Sequence, residues 1–223
     1  MRVRHDAGPP SGPACPTRHP EPMMTAAVRP FRPLLLLALL APLLSACGIN
    51  TIPTLEEQAK ASWSQVQNQY QRRSDLIPNL VETVKGYATQ EKEVLTAVVE
   101  ARAKATATNI DASQLTDPAA VQKFQAAQSE LSGALSRLLV TVEAYPDLKS
   151  SQNFLALQSQ LEGTENRIAV ARRDFIDAVR AYNTELKTIP GSWYASWFYP
   201  EAKPMESFTA EAGSDQPPTV KFN

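Results

Sequence analysis

Residues able to carry reaction chemistry are few in this chain, and most of them lie at its start. The 223 residues include two histidines and two cysteines. His5, His19 and Cys15 all precede Cys47. From Cys47 onward no Ser–His or Cys–His pair can make a nucleophile, and there is no imidazole for zinc or haem iron. A single thiol in that stretch forms no internal disulfide. What remains is carboxylates, guanidinium groups and amides. Three polar side chains, Arg73, Gln128 and Thr164, interrupt otherwise apolar stripes, and Glu165 and Asn166 follow the last of them. An unpaired buried charge is very costly, so Arg73 is expected to have a carboxylate partner, with Glu165 as the candidate. Such a layer can fix helix register, line a small-ligand or ion pocket, or face solvent if the stripe is phased differently. Mg²⁺ or Ca²⁺ would take oxygen ligands, but no loop has an EF-hand pattern and none is a Gly-rich phosphate loop. No catalytic residue, metal or cofactor is expected.

Cys47 has a different chemistry in prospect. Arg29 and Arg32 precede the eleven-residue apolar run Leu34–Leu44, which leads into Leu44-Ser45-Ala46-Cys47-Gly48. Eleven helical residues reach about 16 Å, against roughly 30 Å of hydrocarbon core, so the run reads as a signal-peptide core and not a spanning helix. The LSAC string resembles the lipobox of bacterial lipoprotein precursors. Ser45 and Ala46 are small enough to admit a peptidase, and the Cys47 thiol would accept diacylglycerol. Two or more acyl chains make anchoring stable. Gly48 is not aspartate, which by the same resemblance implies delivery to the outer membrane. Residues 1–46 are then an N-terminal extension plus a signal peptide at 23–46, and residues 47–54 a lipid-anchored linker. Cleavage would leave 17 basic against 21 acidic residues, with no basic excess to attract nucleic acid.

The remainder must position the polar layer. Glycine is scarce, at 8 residues, and only five of 18 prolines lie between residues 50 and 190. That composition favours long helices. A first helix is expected over Leu55–Tyr87, with Trp63, Val66, Tyr70, Arg73, Ile77 and Leu80 spaced alternately by three and four. Pro78 predicts a kink near Ser74–Ile77. A second helix is expected over Gln90–Thr108. A third begins at Asp117-Pro118, a capping side chain before proline, and is ended by Pro146. A fourth runs from Ser150 or Ser151 to Thr188. Short connections predict an all-α fold, an antiparallel up-down four-helix bundle over residues 55–190. The alternative merges the first two helices into a three-helix coil. Residues 191–223 form an aromatic segment and a tail expected to be disordered from Thr209. Trp193 and Trp197 would lie at the anchored pole, where they either meet lipid headgroups or cap the bundle.

Four strings carry a resemblance to a known family: RRSDLIPNL at 72–80, EARAKA at 100–105, LQSQLEGTENRIAVAR at 157–172 and AYNTELKTIP at 181–190. With them the chain resembles the LemA family over most of residues 55–199. The resemblance implies an all-α, membrane-associated protein of undefined biochemical activity. Two departures stand out. Family members resemble one another in an N-terminal membrane helix where this chain has a lipobox. Phe175-Ile176 also replaces the family's usual Tyr-Asn. Together these readings point to a non-catalytic envelope lipoprotein on the periplasmic side, a scaffold for another envelope protein, with Arg72, Asp75 and Asn79 as contact surface. The alternative is a small-ligand or cation-binding bundle using Arg73, Glu165 and Asn166.

Overall fold

The computed structural model describes residues 48–209. Cys47, the expected signal peptide and the tail beyond Thr209 lie outside them. Helix α1 spans Thr51–Lys85, α2 Lys92–Ala107, α3 Pro118–Val142, α4 Pro146–Lys149, α5 Gln152–Lys187 and α6 Gly191–Phe198. A 3₁₀ turn occupies Ala112–Thr116. No strand occurs among the described residues. No helix among them is long and apolar enough to cross a membrane. Two antiparallel pairs, α1 with α5 and α2 with α3, supply most of the packing.

The long helices form where the three-four stripe demands them. On α1 the buried set is Ile52, Ala59, Trp63, Val66, Tyr70 and Arg73, continuing through Ile77 and Leu80 to Val84. The helix starts four residues before Leu55, so residues 51–54 are helical and not linker. Pro53 falls in the first turn, where its missing N–H is no loss. Thr54 donates its amide (3.1 Å) and hydroxyl (2.7 Å) to the Asn50 carbonyl. At the other end α1 stops at Lys85, and α2 returns alongside it, with Arg102 beside Ser74. That reversal excludes the merged three-helix coil.

Pro78 stays inside α1, and the residues expected to kink, Ser74–Ile77, remain within one continuous helix. Proline at 78 leaves the carbonyl of Ser74 without its i→i−4 donor. Arg102 of α2 takes the place of that donor, Nε to O at 2.8 Å.

Helix α3 starts as its sequence predicts: Asp117 Oδ1 accepts from the Ala119 amide at 2.9 Å, and Pro118 is the first helical residue. It ends at Val142, earlier than expected, and Pro146 opens the single turn α4 instead of closing α3. Tyr145, between them, donates to Glu91 Oε1 at 2.8 Å and so ties this corner to the entry of α2.

Helix α2 has 16 residues where α1 has 35. It therefore cannot flank α1 to its N-terminus, and the fold departs there from a regular four-helix bundle. Ile110 of the loop and Leu115 of the 3₁₀ turn, together with Met205 and Phe208 from beyond α6, fill the space. Those last two are held by backbone and side-chain bonds. Asn183 accepts from the Met205 amide (2.9 Å) and donates to its carbonyl (2.8 Å). The Glu206 amide donates to the Leu115 carbonyl at 2.7 Å. Phe208 joins Trp63 (ring centroids 5.8 Å) and Phe175 (5.5 Å) in an aromatic cluster.

Candidate functional site: a buried arginine layer

The apolar interior falls into two clusters. One surrounds Trp63, Phe124, Phe175 and Tyr182, the other Ile77, Leu131, Leu138 and Phe154. Between Tyr70 and Ile77 on α1 sit Arg73 and Ser74, and Gln128 and Thr164 hold the same level on α3 and α5. Two of the three polar breaks, Arg73 and Gln128, thus meet at the boundary between the clusters, and the third, Thr164, precedes the Glu165 that bonds Arg73.

Arg73 is only 1% exposed. A guanidinium keeps its charge at any ordinary pH, so burial has to be answered by acceptors. Nη2 donates to Gln128 Oε1 at 2.7 Å, and Nη1 donates to Ser132 Oγ at 2.9 Å and to Glu165 Oε1 at 3.0 Å. Ser132 in turn donates to the Gln128 carbonyl at 3.1 Å. The Tyr70 ring lies under the guanidinium, 5.0 Å from Cζ to centroid. Nε is buried with no partner. Glu165 is 45% exposed at its side chain, so the ion pair lies at the rim of the layer and its Coulomb energy is screened. The shortest contact, and the best shielded from water, is the amide of Gln128.

The other residues of the expected layer separate. Thr164 is buried, but its hydroxyl donates to the Gln160 carbonyl of its own helix at 2.8 Å. Asn166 is exposed and does not belong to the buried layer. It faces a groove of about 500 Å³ between α3 and α5, floored by Leu135, Leu139 and Leu161 and rimmed by Glu162 and Glu165. Helical spacing explains the error: Asn166 lies two residues past Thr164 and points some 200° away from it. Ser132 was missed, although it sits one turn beyond Gln128 on the same stripe. Arg72, Asp75 and Asn79 are exposed on α1, and Asp75 accepts from Gln71 Nε2 at 2.8 Å.

A cleft of about 270 Å³ opens beside the layer between α1, α2 and α3. Its polar walls are the amides and hydroxyls of Gln67, Gln71, Ser74, Thr106, Asn109 and Gln128. Tyr70 also borders it. Burial pushes the Tyr70 hydroxyl above its ordinary pKa, with Arg172 and Arg73 pulling the other way. The phenol is therefore protonated at neutral pH. Among the described residues no three His, Cys, Asp or Glu side chains gather as metal ligands.

The profile of the LemA family matches residues 62–222, from the middle of α1 to the end of the tail. The chain belongs to the LemA family. No curated protein matches the sequence. The stretch shared with LemA proteins contains the whole arginine layer and both tail residues that enter the core. Within it the Phe175 departure has a clear physical setting. Phe175 is fully buried, 5.2 Å from Trp63 between ring centroids, in a position with no room for a polar contact to solvent.

Trp193 and Trp197 project from α6, 58% and 80% exposed, and do not cap the core. Tyr194 and Tyr199 are the aromatics of this segment that pack inward. Gly191 opens α6 against the Glu185 carbonyl, so closely that a Cβ would lie 2.2 Å from that oxygen. Only glycine fits there.

Proposed function

We propose that this LemA-family protein is a non-catalytic scaffold of the bacterial cell envelope, an up-down helical bundle tethered on the periplasmic side of the outer membrane through acylated Cys47. It offers the exposed Arg72, Asp75 and Asn79 to another envelope protein. The observation that carries the reading is the bonding of Arg73. This buried guanidinium is bonded by residues of α3 and α5, an arrangement that holds helices in register. Rigidity of that kind suits a presenting surface. Mass spectrometry of the protein extracted from membranes tests the tether: the expected product begins at Cys47 and bears fatty acyl chains. An N-terminus still containing His5 and His19 would overturn it. A photocrosslinking residue at Asn79 tests the surface, with a discrete adduct expected there and none from Val140 on α3. Adducts from both positions or from neither would count against it.

A second reading, a small-ligand site at the layer, is favoured by the amide-lined cleft beside Gln128. Its polar walls suit an uncharged, hydrogen-bonding molecule better than a cation. Native mass spectrometry of the purified protein, showing a retained small molecule, would favour it.

A further inference from the structure

We infer that α6 is a membrane-seating element, its Trp193 and Trp197 face resting at the headgroup level of the bilayer that holds Cys47. The inference rests on the lipid-tether reading and adds a second, non-covalent contact to it.

Four large apolar residues stand exposed within ten positions: Ile189 (67%), Trp193, Trp197 and Phe198 (54%). Ile189, Trp193 and Trp197 recur every fourth residue, and the two tryptophans share one face of α6. The orientation of that face is fixed by what lies behind it. Gly191 is pressed on α5, and Tyr194, Ala195 and Tyr199 pack on the apolar cluster that includes Ile52, Trp63 and Tyr182.

The place of this face in the molecule identifies its occupant. The Tyr194 ring lies against Gly48, where even a Cβ would come within 2.9 Å of the ring. Gly48 immediately follows Cys47, and consecutive Cα atoms are about 3.8 Å apart. Helix α6, which carries the exposed tryptophans, therefore packs against the residue that follows the proposed acylation point. Indole, with a large apolar body and one N–H, is favoured at the boundary between headgroups and acyl chains. An acylated chain holds that boundary next to α6 permanently, so the local concentration of lipid is very high.

The test uses the full mature chain in vesicles of phosphatidylethanolamine and phosphatidylglycerol containing lipids brominated at shallow or deep acyl positions. Trp63 is 1% exposed in the core, so it serves as an internal reference. Emission is expected to be quenched, more strongly by shallow than by deep bromine. W193F/W197F, left with Trp63, is expected to lose the quenching. Emission equal in plain and brominated vesicles would overturn the inference. So would tryptophans that iodide quenches as well on vesicles as in solution, or that a second copy shields in a concentration-dependent way. The mass of the same sample reads acylation separately. An unacylated chain therefore removes the tether, while quenching on added vesicles still reads α6.

Discussion

Arg102 donates its Nε–H to the carbonyl oxygen of Ser74 at 2.8 Å, the one acceptor in α1 that Pro78 leaves without a helical donor. A defect in one helix is thus repaired by its neighbour, and the repair joins α1 to α2. Removing Arg102 should leave a partly buried carbonyl unsatisfied and cost about 1–3 kcal/mol. In P78A the backbone amide restored at position 78 can serve Ser74 directly. Denaturant unfolding of R102A, P78A and the double variant should then show positive coupling, with R102A costing less in the P78A background. Strictly additive losses would mean that the two positions act independently.

The arginine layer makes a ranked prediction. R73A deletes a buried charge with four acceptors and is expected to lose about 3–5 kcal/mol. Q128L leaves Nη2 with only the long bond to the backbone carbonyl of residue 128 (3.4 Å) and should cost about 1–3 kcal/mol. E165Q removes only the charge of a half-exposed partner and should cost under about 1 kcal/mol. Chemical denaturation measures all three. A loss for E165Q as large as that for Q128L would place the weight of the layer on the ion pair instead of the amide.

Phe208 covers Trp63. Removing a buried phenylalanine typically costs about 3–5 kcal/mol, and the lower part of that range is expected where a chain terminus can relax. F208A should also shift Trp63 emission to longer wavelength by admitting water. Spectra are best recorded in the W193F/W197F background, where Trp63 is the only emitter. N183A should act in the same direction, since it removes both bonds to Met205. An unchanged spectrum in both variants would show that residues 200–209 do not shield the core.

Three tyrosines foretell an alkaline limit. Burial raises the hydroxyls of Tyr70 and Tyr182, and the hydrogen bond to Glu91 raises that of Tyr145, all above an ordinary value of 10.0. The groups facing Tyr70 are Arg172 and Arg73, which oppose the rise, and Glu165, which adds to it. Above pH 10 the folded state binds more protons than the unfolded chain, so stability must fall with pH. Below pH 10 the contribution is complete, and it is lost as pH climbs through the raised folded values. The melting temperature should hold from neutrality to about pH 10 and then drop, with a shallower drop in Y70F. A rise in stability above pH 10 would contradict the assigned burial.

The parts of the fold that could be read ahead are those repeated by helical spacing. The stripe through Trp63, Tyr70, Ile77 and Leu80 needed only its period to be phased, and phasing it put Arg73 on the buried face, where a charge requires a partner such as Glu165. Asp117-Pro118 announced its helix through local capping chemistry alone. Thr51–Thr54 escaped because Pro53 looks like a stop when it is in fact at a permitted first-turn position. Asn166 was grouped with Thr164 by adjacency in sequence, though rotation about the helix sends it to the surface. Met205 and Phe208 carry no periodic signal. Their burial depends on a space left by the shortness of α2, which is a property of another, distant segment. Gly191 likewise shows its necessity only beside the Glu185 carbonyl.

The two apolar clusters draw on very different lengths of chain. The one around Leu138 uses residues 77–161, whereas the one around Trp63 reaches from Ile52 to Phe208. A polypeptide emerging from its N-terminus can therefore complete the far half while the near half still waits for its last contributor. Contacts that span more sequence also close more slowly. The cluster around Trp63 can therefore close fully only once Phe208 has been made.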